Sequence, residues 1–128
     1  MSVSVLEEKL KDLLNSELVD WKSVSNRIEE LKLLKNKLKT LKEQTQFKEF
    51  RKQIKALNHT VRIQILTAIN NGVTCPCELE YLTNLAQATV SHHLSLLEDA
   101  DLITRTREGK RTFLSIKNQE VIASFIPF

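Results

Sequence analysis

The spacing of apolar residues changes once along the chain, and that change limits the folds open to it. Up to about residue 100, apolar side chains recur every three or four positions, which is the spacing of one helix face. From Leu102 to Ile116 they alternate around Gly109, as in a β-hairpin. The chain has only two glycines and two prolines in 128 residues, which suits long helices and argues against an all-β fold. We therefore expect a mainly α protein with one β-hairpin.

Residues 1–45 form a predicted helical arm. Ser4 and Glu7 have the spacing of a capping box, which marks a helix start. Apolar residues then recur at spacings of three and four through the arm. Such a stripe fits a helical hairpin within one chain and a coiled coil between two chains equally well, either as a scaffold face or as a dimer seam. We expect residues 42–48 to join the arm to a second domain, residues 46–128.

The second domain has the element order of a helix-turn-helix with a wing. The helix CELEYLTN, a tight turn, the helix QATVSHHLSLLEDA and the hairpin follow one another. Asn84 lies in the turn, where it tolerates a left-handed backbone conformation. His59 sits at a helix start and is expected to cap or pack, and Pro127 stops a last short turn of helix. The predicted fold is a winged helix-turn-helix preceded by a long N-terminal helical arm, either a hairpin or a coiled coil.

The second helix of this motif separates an apolar face from a polar one. Val90, Leu94 and Leu97 share one face and are expected to pack on the core. The opposite face and the N-terminal end carry donors and acceptors that suit base edges in the major groove. The candidate base-reading residues are Gln87, Thr89, Ser91, His92 and Ser95. His93 flanks the core face and is expected to be packed and hydrogen-bonded.

The hairpin places a cluster of positive charge beside this helix. Its basic residues are Arg105, Arg107, Lys110 and Arg111, opposed only by Glu108. Alone, such a hairpin is as often a solvated surface with no partner. Next to a polar recognition helix it predicts phosphate contacts that flank base contacts, so we expect the chain to bind DNA. Because the net charge of the chain is only +3, this affinity depends on a local patch.

Three segments resemble the ArsR/SmtB family of bacterial and archaeal repressors. They are KALNHTVRIQIL, CPCELEYLTNLAQATVSHHLSLLEDADLI and REGKRTFLSI, within residues 47–116. The resemblance implies a dimeric winged helix-turn-helix repressor on a double-stranded DNA operator. It implies Gln87, Thr89, Ser91 and His92 as the base-reading residues. It also implies release of the DNA when a metal ion, a metalloid or another signal binds.

The chain departs from the family pattern in ways that bear on helix stability and assembly. Ala86 stands where the recognition helix usually has a serine cap, and Asn84 replaces a common glycine of the turn. In the family, an N-terminal helix and a helix after the wing form the dimer. Here the arm of residues 1–45 is longer than usual, and the tail after the wing is short. We therefore expect a homodimer in which the arm takes over much of the dimerisation.

Cys75 and Cys77 are the only cysteines, and they lie on the Cys-x-Cys motif of the family's metal and metalloid sensors. In an extended segment residues i and i+2 point to the same side, so two thiolates can share one soft ion. The arsenic-type motif has a third cysteine where this chain has Glu80. The arm has neither Cys nor His, so it cannot supply a further thiolate or imidazole ligand. A trivalent arsenical, As(III), is therefore the expected ligand ahead of tetrahedral zinc. A packing role and a redox role for the thiols stay open.

Other classes of function have little support in the sequence. There is no Gly-rich phosphate loop, no HExxH motif and no Ser or Cys beside a suitable base, so an enzyme is not expected. No apolar run approaches the roughly 18 residues of a membrane span, and the N-terminus lacks the pattern of a signal peptide, so we expect a cytoplasmic protein. Two rivals to the sensing repressor are a winged-helix protein-interaction module and a constitutive DNA-binding repressor with no metal sensing.

Overall fold

Two units make up the part of the chain that the structure describes, residues 1–126. The structure is a computed structural model, and its internal contacts separate Met1–Phe47 from Lys48–Phe128. The first unit contains helices only, whereas the second adds a two-stranded antiparallel hairpin to its helices. Within residues 1–126, no helix combines the length and the apolar character needed to cross a membrane. The predicted mainly α fold with a β-hairpin wing is confirmed.

The first unit is a helical hairpin. Helix α1 (Val3–Leu14) packs on helix α2 (Val24–Thr40), and a 3₁₀ turn (Leu41–Glu43) follows α2. The buried side chains between the helices are Leu10, Val24 and Ile28, with Leu6, Leu14, Trp21 and Leu31 packed around them. Of the two arrangements that fit the apolar stripe, the chain adopts the hairpin, because α1 can bury the first half of the stripe without a partner.

The second half of the stripe is not covered by α1. Helix α1 has 12 residues and α2 has 17, so they are about 18 Å and 26 Å long. Leu34 and Leu38 of α2 are 47% and 59% exposed. An apolar strip on the C-terminal half of α2 is therefore open to solvent within this unit.

Helix α1 is capped by Ser2, two residues before the predicted cap, Ser4. The side-chain oxygen of Ser2 accepts a hydrogen bond from the Val5 N–H at 3.3 Å, and Ser2 has the extended backbone of a cap, with φ −78° and ψ 160°. Ser4 already lies inside the first turn. The capping box expected from Ser4 and Glu7 is therefore wrong, because an earlier serine offers the same bond and lengthens the helix.

The second unit is built around a recognition helix and a hairpin. The elements after the 3₁₀ turn are α3 (Thr45–Leu57), α4 (Thr60–Asn70), α5 (Pro76–Thr83), α6 (Gln87–Asp99), β1 (Ile103–Glu108), β2 (Arg111–Ile116) and α7 (Gln119–Ala123). The side chains most completely removed from solvent are Ile65, Leu66, Leu79, Val90, Leu94, Leu97, Leu102, Ile103 and Ile122. Every element from α4 to α7 contributes a buried side chain to this core, and β2 does so through Leu114. The prediction that Val90, Leu94 and Leu97 form the core face of α6 is confirmed.

The turn between α5 and α6 depends on one residue in a left-handed conformation. Asn84 ends α5 with φ 56° and ψ 33°. Asparagine adopts this region more readily than other residues that carry a Cβ. The prediction for Asn84 is confirmed, and the conformation directs the chain into α6 after only three residues, Asn84–Ala86.

The wing is a regular antiparallel hairpin that is bonded to the segment before α5 and extended by one more ladder bond at its base. Its register pairs Ile103 with Ile116 and Glu108 with Arg111, which leaves two residues in the turn. The Leu114 N–H donates to the Thr74 carbonyl at 2.8 Å, just before α5. The Lys117 N–H, directly after β2, donates to the Leu102 carbonyl at 2.9 Å. The hairpin is therefore held against the helical core rather than projecting freely.

The tail after the wing completes the core. Ile122 of α7 is fully buried and Ile126 is 8% exposed. The described part of the tail thus closes the domain with its apolar side chains turned inward. Pro127, the predicted stop of this helix, lies outside the described residues, and α7 ends earlier, at Ala123.

Candidate nucleic-acid interface

The N-terminal end of α6 has backbone donors without a side-chain cap. Ala86 occupies the cap position in an extended conformation, with φ −66° and ψ 152°, and its methyl group accepts no hydrogen bond. The first amides of a helix have no acceptor within the helix, and the helix dipole adds partial positive charge there. This end of α6 is therefore suited to an anion.

Four of the five predicted base-reading residues are exposed on α6. Thr89, Ser91 and His92 point away from the core side, on which Val90 and Leu94 are 1% exposed, whereas Gln87 lies in the first turn, at the N-terminal end. Because the apolar side is fixed in the core, the helix cannot rotate without exposing it. The structure thus leaves Thr89, Ser91 and His92 accessible along the helix and Gln87 accessible at its N-terminal end.

The fifth predicted residue, Ser95, is occupied by the wing. Its hydroxyl accepts a hydrogen bond from Arg105 Nη2 at 3.0 Å and donates to the Ser91 carbonyl at 3.1 Å. Arg105 also donates from Nη2 and Nε to Glu98 Oε1, at 3.1 and 3.3 Å. The side chain of Arg105 is only 25% exposed, so this guanidinium lies between β1 and α6 rather than in solvent.

Glu98 is a residue that the sequence patterns did not single out. Its carboxylate holds Arg105 and thereby connects the recognition helix to the wing. A charge-assisted contact of this kind fixes geometry as well as adding energy. The only signal in the sequence was an acid one turn after Ser95 followed by a basic strand, and that spacing does not show which arginine it meets.

The other three basic residues of the wing are available to a ligand. Arg107, Lys110 and Arg111 are exposed and form no ion pair within residues 1–126. They lie on the last residues of β1, in the turn and at the start of β2. The wing therefore carries three unpaired positive charges at its tip, next to the single acid Glu108.

A histidine and an arginine connect α6 to α3 and α4. Arg62 Nη1 donates to His93 Nδ1 at 3.4 Å and, through Nη2, to the Lys55 carbonyl at 3.3 Å, at the end of α3. His93 is 8% exposed, and its ring centroid lies 4.8 Å from that of His59. His59 caps α4, since its Nδ1 accepts from the Val61 N–H at 3.2 Å. Both predictions, a packed His93 and a capping His59, are confirmed.

The surroundings of His93 disfavour its charged form. Burial is the main cause of a lowered pKa for His93, and the positive charges of His59, Arg62 and His92 lower it further. The imidazole that accepts from Arg62 at Nδ1 is thus neutral near pH 7. A neutral His93 ring avoids a second positive charge next to the Arg62 guanidinium.

Cys75 and Cys77 lie at the first turn of α5. Cys75 is the half-buried cap residue, Cys77 is exposed, and both are free thiols. A hydrogen bond with the Cys77 thiol lowers the pKa of Cys75, and the same bond raises the pKa of Cys77. Because Cys77 is exposed, the alternative that it packs under the helix is wrong.

The described residues provide no complete protein ligand set at these thiols. Within residues 1–126, no three His, Cys, Asp or Glu side chains are grouped so that they can hold a metal ion. The nearby Glu78 carboxylate is engaged, since its Oε1 accepts from the Thr74 and Cys75 N–H groups at 3.3 and 3.1 Å. The chemistry of the pair is thus limited to two thiols. That donor set does not fit tetrahedral zinc, which needs about four ligands.

Comparison with known proteins finds relatives for this unit. A family profile described as "Bacterial regulatory protein, arsR family" matches residues 59–105. The arsenical resistance operon repressor of Bacillus subtilis (strain 168) is 31% identical over 75 residues, which cover 58% of this chain and 71% of the relative. The cadmium resistance transcriptional regulatory protein CadC homolog of Staphylococcus aureus is 31% identical over 71 residues, covering 55% and 59% of the two chains.

A solved structure has the same fold. It is the homodimeric winged helix-turn-helix DNA-binding domain of a possible ArsR-family transcriptional regulator from Mycobacterium bovis. The similarity has a TM-score of 0.57 at 27% sequence identity and covers 61% of this chain and 72% of the other. The aligned part of the chain thus has the architecture of a winged helix-turn-helix.

The environment of His93 predicts how stability depends on pH. Its pKa in the folded chain lies below the value of about 6.5 expected when unfolded, so the unfolded chain binds the extra proton more readily. The free energy of unfolding should therefore fall as the pH drops from about 7.5 to about 5.5. Urea unfolding followed by circular dichroism at several pH values measures this loss.

Two variants assign the effect to one residue. His93→Gln should show a weaker pH dependence over this range, whereas His92→Gln, which removes only the smallest cause of the lowered pKa of His93, should change the slope less. An unchanged pH dependence in His93→Gln would contradict the assignment.

Proposed function

The chain belongs to the arsR family of bacterial regulatory proteins, and we propose that it is a transcriptional repressor that binds double-stranded operator DNA sequence-specifically as a homodimer. The observation that carries this proposal is the exposed polar side of α6 next to the three unpaired cations of the wing. Base edges and phosphates require these two kinds of group side by side. An enzymatic role receives no support from relatives whose names describe regulators.

Within this proposal the two surfaces have different tasks. Gln87, Thr89, Ser91 and His92 read base edges, because their donors and acceptors are exposed on a helix that the core holds in place. Phosphates are bound by the exposed wing cations Arg107, Lys110 and Arg111, and by the uncapped amides of α6.

Ser95 and Arg105 act indirectly in this proposal. Their mutual hydrogen bond and the Glu98 carboxylate set the angle of the wing against α6. This assignment departs from the prediction that both residues contact DNA, because each already has a partner within the chain.

Variants of the two surfaces test the division of tasks. Fluorescence anisotropy would compare the affinity for the duplex upstream of the protein's own gene with the affinity for a duplex of scrambled sequence, at several salt concentrations. Thr89→Ala/Ser91→Ala should lose about tenfold or more on the specific duplex only, since a good base contact is worth about 1–3 kcal/mol. Lys110→Gln/Arg111→Gln should weaken both duplexes and reduce the salt slope by about 0.9 for each phosphate that the wing no longer neutralises.

Two results would contradict the proposal. If no duplex binds even at low salt, the winged-helix protein-interaction module becomes the better interpretation. If the α6 variant loses the two duplexes equally, α6 does not read sequence.

The homodimer requires apolar surface that each chain leaves exposed. Phe50 and Ile54 on one side of α3 are 56% and 50% exposed, and Leu34 and Leu38 of α2 are 47% and 59% exposed. We infer that the exposed side of α3 and the α2 leucines of the arm each supply apolar contacts to the dimer. Side chains of this size stabilise an interface by about 1.5–3 kcal/mol each when fully buried.

Removal of the arm tests its share in the dimer. A chain lacking residues 1–41 should dissociate at a concentration at least about tenfold higher in sedimentation equilibrium, which corresponds to the loss of about 1.4 kcal/mol or more. In the full chain, Leu34→Ser/Leu38→Ser should act in the same direction. Leu33→Ser removes a leucine that is 66% exposed on another side of α2, so it serves as the matched control. An unchanged dimer in the deletion variant would show that the arm has no part in it.

A two-thiol site suits a trivalent arsenical. We propose that Cys75 and Cys77 bind As(III) and that this weakens the DNA complex; the arsenical resistance operon repressor relatives support this choice. Arsenous acid forms two S–As bonds with two thiols as two water molecules leave, and arsenic keeps its third hydroxyl as the remaining ligand unless an outside thiol replaces it. Cys75 ionises first because its pKa is the lower, and the exposed Cys77 is accessible to the incoming arsenical.

Arsenite should release the reduced protein from its operator. In anisotropy with a phosphine reductant, which avoids competing thiols, arsenite should weaken binding by roughly 5- to 150-fold, the usual range of coupling between two sites. Cys75→Ser and Cys77→Ser should each keep DNA affinity in the absence of arsenite and lose the response. A wild-type complex that arsenite leaves intact would identify a constitutive repressor, or one that responds to another signal.

A further inference from the structure

The C-terminal half of the arm carries a concentration of lysine. Residues 31–42, LKLLKNKLKTLK, contain five lysines and no acidic residue. The net charge of the whole chain is only +3, so the rest of the chain is slightly acidic. This segment forms the second half of α2 and the 3₁₀ turn, well apart in sequence from the wing. The proposed function uses Leu34 and Leu38 of this segment in the dimer but gives its lysines no task.

The lysines are arranged as a row. At about 100° per residue, Lys32, Lys35 and Lys39 lie within roughly 60° of one another on α2, and Lys42 continues the line in the 3₁₀ turn. We call these four residues the lysine row. From Lys32 to Lys42 it spans about 15 Å at about 1.5 Å per residue. Lys37 lies on another side of the helix.

The row is open to solvent and almost free of counter-charge. All four lysines are exposed. Lys32 Nζ lies 3.2 Å from Glu29 Oε1, but this pair is 54% and 71% exposed, and surface pairs of this kind contribute little. Lys35, Lys39 and Lys42 form no ion pair within residues 1–126. Like charges this close repel one another, so the surface favours a ligand with several negative charges in a line.

Duplex DNA fits this requirement better than a lipid surface does. A duplex carries one negative charge per about 1.7 Å of axis, so about 15 Å presents about nine phosphate charges. Stable binding of a helix to a lipid surface needs an inserted apolar face in addition to the attraction of its cations to anionic lipids. On α2, the apolar side chains of the first half are buried against α1, and the exposed leucines Leu33, Leu34 and Leu38 do not form one continuous face, because Leu33 lies about 100° around the helix from Leu34.

We propose that the lysine row is a second DNA contact that binds phosphates of the duplex beside the operator without reading its sequence. The inference rests on the proposed function for its partner, but not on the residues of α6 or the wing. The row adds affinity through counterion release, and therefore only where the duplex is long enough to reach it. The arm then lengthens the protected DNA without changing the preferred sequence.

The test compares two duplexes and two charge-matched variants of the full chain. The short duplex is the smallest one that keeps full specific binding when the operator DNA is shortened stepwise. The long duplex adds about 15 base pairs of unrelated sequence on each side, which is roughly 50 Å of axis at about 3.4 Å per pair. Lys35→Gln/Lys39→Gln/Lys42→Gln neutralises the row. Lys9→Gln/Lys22→Gln/Lys37→Gln removes the same charge from exposed positions of the arm outside the row.

The wild-type chain should bind the long duplex more tightly than the short one and with a steeper salt slope. The row variant should lose about tenfold or more on the long duplex, with a slope lower by about 0.9 per phosphate contact, and less than about twofold on the short one. The control variant should keep the difference between the duplexes. The ratio of specific to scrambled binding should be the same in all three proteins.

Several outcomes would overturn the proposal. Equal losses of the row and control variants would show a general charge effect. A row variant whose dimer dissociates more readily would show a role in assembly. Loss of binding to phosphatidylserine vesicles with no change on the long duplex would assign the row to a lipid surface. Failure of the proposed function is separate, because it appears as weak binding of the wild-type chain to the short operator duplex.

Discussion

The burial of one side of α6 is the constraint on which the rest of the DNA-binding unit depends. Val90, Leu94 and Leu97 are all but removed from solvent, and each contributes about 1.5–3 kcal/mol relative to exposure. Rotating α6 by one residue, about 100°, would bring polar side chains into this core and leucines into solvent. The rotational setting of the helix, and with it the set of side chains it offers to a ligand, is therefore a property of the core. The left-handed Asn84 adds the second condition, because it allows α6 to begin directly after α5.

The wing is coupled to this helix by a polar contact rather than by the core alone. The guanidinium of Arg105 is largely removed from solvent and donates hydrogen bonds to Ser95 and Glu98. Hydrogen bonds to charged groups are worth about 1.5–3 kcal/mol when buried, and less here because the carboxylate is 39% exposed. The contact thus contributes more to the angle between wing and helix than to stability. A surface that must meet base edges and phosphates at once needs this angle to be fixed.

Much of the architecture followed from the sequence, because period and turn chemistry act locally. The change from helical to alternating spacing located the wing, and Asn84 marked the turn that the structure contains. What the sequence left open depended on contacts between distant residues. A stripe of leucines does not reveal whether its partner is in the same chain, and α1 buries half of it. The sequence also does not show which of the four basic residues of the hairpin pairs with Glu98, and in the structure it is Arg105. The exposure of Cys77 depends on how α5 lies on its neighbours, which no spacing gives.

The missing side-chain cap of α6 connects the stability of this helix to the binding of a ligand. Replacing a serine or threonine cap by alanine costs a helix about 0.5–2 kcal/mol, and Ala86 leaves the first-turn amides without that partner. The loss of stability affects the end of α6 that carries the exposed Gln87 and Thr89, not the other end, which is followed by the buried Ala100 and Leu102. A phosphate at this end would satisfy the donors that the alanine does not, so ligand binding and the order of the first turn would reinforce each other. The energy that the core supplies at Val90 and Leu94 exceeds the loss at the cap several-fold. A recognition helix can therefore keep its polar end uncapped only because its apolar side is so completely buried.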